Sequence, residues 1–426
     1  MCQTKTVVII LVIWTAVGIW GFGSLYRSLY DMYELIPEYK DSDYSWFYRL
    51  LLNILGYSTV LLPCYILYKY LQKVNYFEKM TSNSWLYKTL YALFSEHDTL
   101  PEVVKPVVKV EESKRESLEL AFCFVGLMGA YLVWGLLQEK IMTQKYTMPD
   151  GTLLKFNDSQ VLVFINRLLG FFIAVIRLLT TDQQVIAAPL YKFSYCSLTN
   201  IISAWCQYEA LKYVSFPTQV LSKSCKVIPV MLMGKLISRN KYEAYEYGTA
   251  VLISVGMVLF MLGSHDEDAT WGATSISGLC LLALYMWCDS FTSSWQGALF
   301  RRHSLKPLQM LAAVNLCSCA FTAATLLRQA HPQTAALIRH PMFLTDALML
   351  SLSSAVGQLL IYRTIARFGP VVFTIIMTLR QAVSILVSCA VYGHAISPTG
   401  GLGVVLVFAA VFLRIYCRKR KSVPLK

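Results

Sequence analysis

The sequence predicts an all-α polytopic membrane protein: a ten-helix, drug/metabolite-transporter-like bundle of two inverted five-helix repeats, preceded by two leader helices. Three observations carry this expectation. Hydrophobic residues make up 56% of the 426-residue chain and charged residues 15%, with a mean hydropathy of +0.50, whereas soluble domains carry about a quarter of their residues as charges. Apolar runs of about twenty residues, the length that crosses a bilayer as a helix, recur along the whole chain. Finally, two helices in opposite halves open on a proline and carry a basic residue at the same depth.

The first apolar run, 7–26, follows Lys5 but is long for a signal peptide and lacks a small-residue cleavage site, so it reads as a retained helix. An acidic segment with Asp31, Glu34, Glu38, Asp41 and Asp43 leads to a second run at 49–70. Residues 1–70 therefore form a two-helix N-terminal portion. Residues 71–117 have mixed charges and two prolines and read as a cytosolic linker.

Ten further spans follow, at 118–139, 160–180, 192–213, 216–237, 246–263, 275–296, 308–327, 343–367, 370–392 and 399–416. They group into a first repeat, 118–264, and a second, 275–417, with a basic cytosolic tail at 418–426. Basic clusters at Arg239/Lys241, Arg301/Arg302/Lys306 and Arg418–Lys421 fall on one side of the alternating spans, and the acidic His265–Asp268 segment on the other. The excess of Lys and Arg on cytoplasmic loops then places both termini in the cytosol. Asn157-Asp158-Ser159, a glycosylation acceptor pattern, falls in the opposite, lumenal loop.

The net charge of +13 does not call for a nucleic-acid partner, because most basic residues flank apolar runs. Twelve cysteines show no CxxC spacing and lie mostly inside apolar runs, so neither a disulfide framework nor a metal site is expected. HExxH, GxGD and GxSxG patterns are missing, as is a phosphate-binding loop. The chain reads as neither an enzyme nor an ATP-driven pump, and no cofactor is implied.

The repeat is visible in two helix pairs. Residues 207–217 hold Gln207 and Tyr208 late in one span, then a short basic-aromatic turn and Pro217. Residues 358–370 hold Gln358 and Tyr362, then a similar turn and Pro370. About ten residues past each proline stands a basic residue at membrane depth, Lys226 and Arg380. Proline fits a first helical turn. Five spans per half is an odd number, so the halves face opposite ways, as in secondary transporters with a midplane substrate.

Lys223 and Lys226 share one face of an apolar run, where each cation costs roughly 2.5–3.5 kcal/mol and the two repel each other. Two compensations are open: acids on neighbouring helices, or a polyanion that comes and goes. Asp289, Thr292, Ser293 and Gln296 form an i, i+3, i+4, i+7 polar stripe facing the bundle interior, and Asp289 suits either an ion pair with a lysine or substrate contact. Glu209 is placed to pair locally with Lys212. Gly126, Gly129, Gly256 and the 400–403 glycine cluster read as packing positions.

The segments 222–231 (SKSCKVIPVM) and 205–219 (WCQYEALKYVSFPTQ) resemble the nucleotide-sugar transporter family of solute carriers. Within that family, 289–296 (DSFTSSWQ), 373–381 (FTIIMTLRQ) and 126–139 (GLMGAYLVWGLLQE) are similar to the Golgi-type carriers of PAPS, adenosine 3'-phosphate 5'-phosphosulfate. The resemblance covers the ten spans, about three-quarters of the chain. It implies a Golgi antiporter that imports PAPS for sulfation and exports AMP or adenosine 3',5'-bisphosphate. The implied site comprises Lys223, Lys226 and Arg380 for the anionic groups, Tyr285 or Tyr208 for adenine, and Gln207, Asp289, Gln358 and Gln381. A UDP-sugar transporter or an ATP/ADP exchanger would use the same cations. A membrane-embedded transferase or a scaffold would need a catalytic cluster that the sequence does not show.

Overall fold

The computed structural model describes residues 45–79, 85–95, 109–143, 145–147, 153–155, 159–181, 188–210, 213, 226–239, 241–263, 276–303, 305–329, 340–392 and 398–422, with isolated helical positions between 9 and 29. The elements, in chain order, are α1 (Ser45–Lys73), α2 (Tyr76–Lys79), α3 (Trp85–Phe94), α4 (Lys109–Thr143), β1 (Lys145–Thr147), β2 (Leu153–Lys155), α5 (Ser159–Thr180), α6 (Leu190–Ala210) and α7 (Val227–Ser238). They continue with α8 (Ala244–Gly263), α9 (Ile276–His303), α10 (Pro307–Gln329), α11 (Pro341–Phe368), α12 (Pro370–Tyr392) and α13 (Pro398–Ser422). Among the described residues, five helices (α1, α4, α5, α9 and α11) are long and apolar enough to cross a membrane.

The apolar surface points outward. On α4, Leu118, Phe122, Val125, Leu132 and Leu136 are all more than half exposed, and α11 bares Met342, Leu344, Leu348, Met349, Leu352 and Val356. A soluble monomer rarely shows such continuous apolar faces. Facing lipid they carry no cost. Several hydroxyls turned inward are satisfied within their own helices: Thr364 donates to the Leu360 carbonyl at 2.7 Å, Thr374 to Pro370 at 2.9 Å, and Thr378 to Thr374 at 3.0 Å. Bonds of this kind let Ser and Thr sit at membrane depth without an orphaned donor.

The chain divides into two compact units. The first gathers 1–100, 130–198 and 308–356; the second gathers 101–129, 199–307 and 357–426. In the first unit, the segment expected as a plain linker holds α2 and α3, whose Tyr76, Leu90 and Phe94 pack with Leu67 and Leu71 of α1. Of the expected leader run, Val12 joins this cluster and Gly18 approaches Pro63 of α1, while much of 7–26 lies outside the described residues.

A two-stranded antiparallel hairpin, unforeseen in sequence, also belongs to the first unit, with Tyr146 opposite Leu154. Tyr146 is buried with Ile141, Leu162, Phe343, Ala347 and Leu350, its ring edge-on to Phe343 at 5.5 Å. Its phenol donates to Asp346 at 3.3 Å, and Lys140 pairs with the same carboxylate at 2.7 Å. Burial, then the charge of Asp346 and the hydrogen bond to it, push the Tyr146 phenol up to about 12.

In the second unit, Val227, Val230 and Met231 of α7, Ala250 and Ile253 of α8, Val371 and Ile375 of α12, and Ala410 of α13 form one core. Gly256 lets α8 close on α13: a Cβ there would stand 3.0 Å from the Gly403 carbonyl oxygen and 2.8 Å from Val407. This is the packing role expected of Gly256, and Gly126 likewise abuts Leu360, whereas Gly129 and Gly401, expected to pack in the same way, face open space in which a Cβ would meet nothing within 4 Å. Between α11 and α12 stands one residue, Gly369, with φ +86°, a left-handed conformation that strains any residue carrying a Cβ.

Candidate functional site

The site is built on α6, α7, α9, α11 and α12, within the second unit. The described part of α7 starts at Val227, with Lys226 at its N-cap; residues 216–225, expected to form the first half of that span, lie outside the described residues. Asp289 sits 13 residues into α9, about 20 Å from its start at 1.5 Å per residue, near the middle of the helix. The two side chains form an ion pair in which Lys226 is 13% and Asp289 25% exposed. Of the two compensations the sequence left open for Lys226, this structure displays the acid on a neighbouring helix.

The pair is held from several sides. The Lys226 ammonium lies 5.8 Å from the ring centre of Phe373 on α12, within cation–π range. Ser294, buried on α9, donates to the Val230 carbonyl of α7 at 3.4 Å. Thr292 shares a 2.7 Å hydrogen bond with Thr199 on α6 and back-bonds to Cys288 at 2.8 Å. Thr292, Ser293 and Gln296 are all buried, so the polar stripe of α9 faces inward as its spacing predicts. Phe373 opens the 373–381 segment that carries the resemblance, but its place beside an ammonium, like the contact made by Thr199, has no signal in the sequence until the neighbours are known.

Helical spacing places two other candidates beside the pair. Tyr285, buried, is one turn before Asp289 on the same face of α9. Arg380, half-buried, is two turns after Phe373 on α12, about 10 Å along the same face. Gln207 on α6 and Gln358 on α11 are half-buried in the same unit. Lys223 and Asn157 lie outside the described residues, while Tyr208 and Gln381 are described as helical backbone only. Glu209, expected to pair with Lys212, is buried at the end of α6, and Lys212 lies outside the described residues.

Three further ion pairs organise the unit. Glu119 of α4 accepts from Arg363 at 2.9 Å and faces Arg367 at 3.6 Å, both on α11. Glu246 of α8 pairs with Arg414 of α13 at 3.3 Å. Among the described residues no group of three or more His, Cys, Asp or Glu is placed to hold a metal ion.

Long apolar helices with outward apolar faces, and polar and charged side chains turned inward, define a polytopic membrane protein. The UAA transporter family model matches residues 119–418, and the chain belongs to that family; it is a membrane transporter, not an enzyme. The chain is 49% identical to adenosine 3'-phospho 5'-phosphosulfate transporter 1 of Drosophila melanogaster, over 94% of this chain and 89% of that one. It is 46% identical to the protein of the same name from Homo sapiens, over 89% and 91% of the two chains. UDP-galactose/UDP-glucose transporter 5 of Arabidopsis thaliana is 34% identical over 75% of this chain and 93% of its own length. A solved crystal structure shares the fold with a TM-score of 0.54 at 12% identity, covering 71% of this chain and 99% of the other.

Proposed function

We propose that the chain is an antiporter that carries PAPS from the cytosol into the Golgi lumen for sulfation, in exchange for AMP or adenosine 3',5'-bisphosphate. The fly and human relatives named for this cargo, similar over about nine-tenths of the chain, support the cargo. The observation that carries the mechanism is the Lys226–Asp289 pair. PAPS bears roughly four negative charges near neutral pH, counting a phosphomonoester as −1.5 to −2. In this reading Asp289 occupies Lys226 when the carrier is empty, and an anionic group of the nucleotide takes its place. Lys223 and Arg380 supply two more cations, the Arg380 fork matching a phosphate or sulfate bidentately. Tyr285 or Tyr208 stacks on adenine, and Gln207, Gln358 and Gln381 donate to polar edges.

Exchange follows from electrostatics. Without cargo, cations that must re-form buried pairs or stay desolvated oppose reorientation, whereas a bound polyanion neutralises them. The test is uptake of radiolabelled PAPS into vesicles containing the purified protein. Preloading with AMP or the bisphosphate should accelerate it strongly; equal uptake into empty vesicles would refute exchange. Because of the Arabidopsis relative, UDP-galactose serves as the competing cargo. If it outcompetes PAPS, the cargo assignment falls.

The same reading takes 118–264 and 275–417 as inverted repeats, both termini and the 71–117 linker as cytosolic, and Asn157 as a lumenal glycosylation site. Cysteines placed in the linker of sealed Golgi vesicles should react with an impermeant maleimide. Protection of the linker would invert the topology.

A further inference from the structure

We propose that Arg167, in the first unit, is an oxyanion-binding residue that takes a phosphate or sulfate group of a nucleotide, with Asn315 as the positioning residue that holds its guanidinium without neutralising it. The inference rests on the reading of the chain as a carrier of nucleotide anions.

Arg167 interrupts one of the most apolar helices of the chain. It stands eight residues after Ser159 and thirteen before Thr180, so about 12 Å and 20 Å from the two ends of α5. An arginine at that depth is costly and marks a substrate or ion path when it faces the protein. Elsewhere the chain neutralises such cations with carboxylates, Asp289 for Lys226 and Glu246 for Arg414. Among the described residues, Arg167 has no carboxylate partner. Its one hydrogen bond is donated by Nη1 to the Asn315 Oδ1 at 3.5 Å, beyond the usual range for a strong contact. Up to four of the five guanidinium donors are thus uncommitted to described groups.

Asn315 is fully buried and its Nδ2 has no hydrogen-bond partner among the described residues. An orphaned buried amide costs about 1–3 kcal/mol, so its placement needs a reason. Gly170, one turn after Arg167 on the same face, supplies the room: a Cβ there would stand 2.5 Å from Nδ2. Asn166, the neighbour of Arg167, is engaged separately, accepting from Ser351 at 2.6 Å. The arrangement presents a half-buried guanidinium braced by a neutral amide, where an aspartate of nearly the same shape would have quenched it. A lipid headgroup is the other source of an oxyanion. The depth of Arg167, more than two helical turns from either end of α5, favours cargo.

The experiment uses the purified full chain in detergent, with melting temperature measured alone and during titration with PAPS, UDP-galactose or phosphatidylserine. In N315D a carboxylate occupies the guanidinium. The unliganded melting temperature should match or exceed wild type, while PAPS binds at least about tenfold more weakly, the effect of losing one charge-assisted contact. R167Q, neutral and of similar reach, should weaken PAPS to the same degree. If N315D folds and keeps the wild-type PAPS affinity, the proposal is overturned. A lower unliganded melting temperature in both variants with PAPS affinity intact assigns the pair to structure and also overturns it. A phosphatidylserine shift removed by N315D, with the PAPS shift preserved, transfers the site to lipid and overturns it. If wild type responds to UDP-galactose but not PAPS, and N315D weakens that response, the cargo assignment fails while the oxyanion role of Arg167 stands.

Discussion

Replacing Asp289 with Asn tests whether Lys226 is shared between an acid and the cargo. Fully buried pairs lose about 3–5 kcal/mol when one partner is removed, while exposed pairs are worth about 0–1 kcal/mol. With Lys226 at 13% and Asp289 at 25% exposure, the interaction lies between these limits, at about 2 kcal/mol. If the nucleotide replaces Asp289 on Lys226, the empty D289N protein loses this amount and the loaded protein loses nothing. The difference reappears in binding, so PAPS should bind up to about thirtyfold more tightly to D289N. Melting temperatures measured without ligand and at saturating PAPS check both sides: the unliganded value falls and the saturated values coincide. Lys226→Met, by contrast, should weaken PAPS. A D289N chain that is destabilised equally with and without PAPS, at unchanged affinity, would refute the shared-cation mechanism and leave Lys226 a structural residue.

Arg380→Lys keeps the charge but loses the bidentate fork, so PAPS affinity should drop about tenfold by isothermal titration while the unliganded melting temperature stays within a degree or two of wild type; an unchanged affinity removes Arg380 from the site. Gly256→Leu should cost at least about 1–3 kcal/mol, because the helix backbones of α8 and α13 meet there, and monodisperse yield in detergent reports it. The Tyr146 phenol keeps its proton in the folded chain up to about pH 12, whereas an unfolded tyrosine loses it near pH 10. Stability from this group is therefore intact below pH 10 and lost as the pH rises through that window, and Tyr146→Phe should flatten the slope of melting temperature against pH between 10 and 12.

Apolar run length located the helices well, because a hydrocarbon solvent leaves few alternatives to a twenty-residue helix. The α11–α12 joint, with its Gly-Pro and the arginine beyond it, was legible for the same reason. The ion-pair option for Asp289 was legible from a charge in a polar stripe at helical spacing. Other features resist this kind of reading. The Arg167–Asn315 contact joins residues 148 positions apart, and nothing local to Asn315 distinguishes it from a packing amide. The hairpin around Tyr146 has strands of three residues, too short for alternation to register, and its burial depends on Phe343 nearly two hundred positions away. Helix α2 is a single turn, too short for periodicity to register, whereas α3 is amphipathic in its own sequence, with Leu90 and Phe94 one turn apart on the face packed against α1, a local signal obscured by the charged segments on either side.

The single residue between α11 and α12 also constrains how the protein is made. A connection of one glycine, closed by Gly369 donating to the Ile365 carbonyl at 3.0 Å and accepting from Phe373 at 3.2 Å, leaves no slack for one helix to wait outside the bilayer while the other enters. Where the joint forms during synthesis, α11 and α12 partition from the translocon together. The cost of carrying Arg380 into the bilayer then falls on the combined hydrophobicity of two helices rather than on α12 alone. A substitution at Gly369 would act before folding is complete, on the yield of correctly inserted chains.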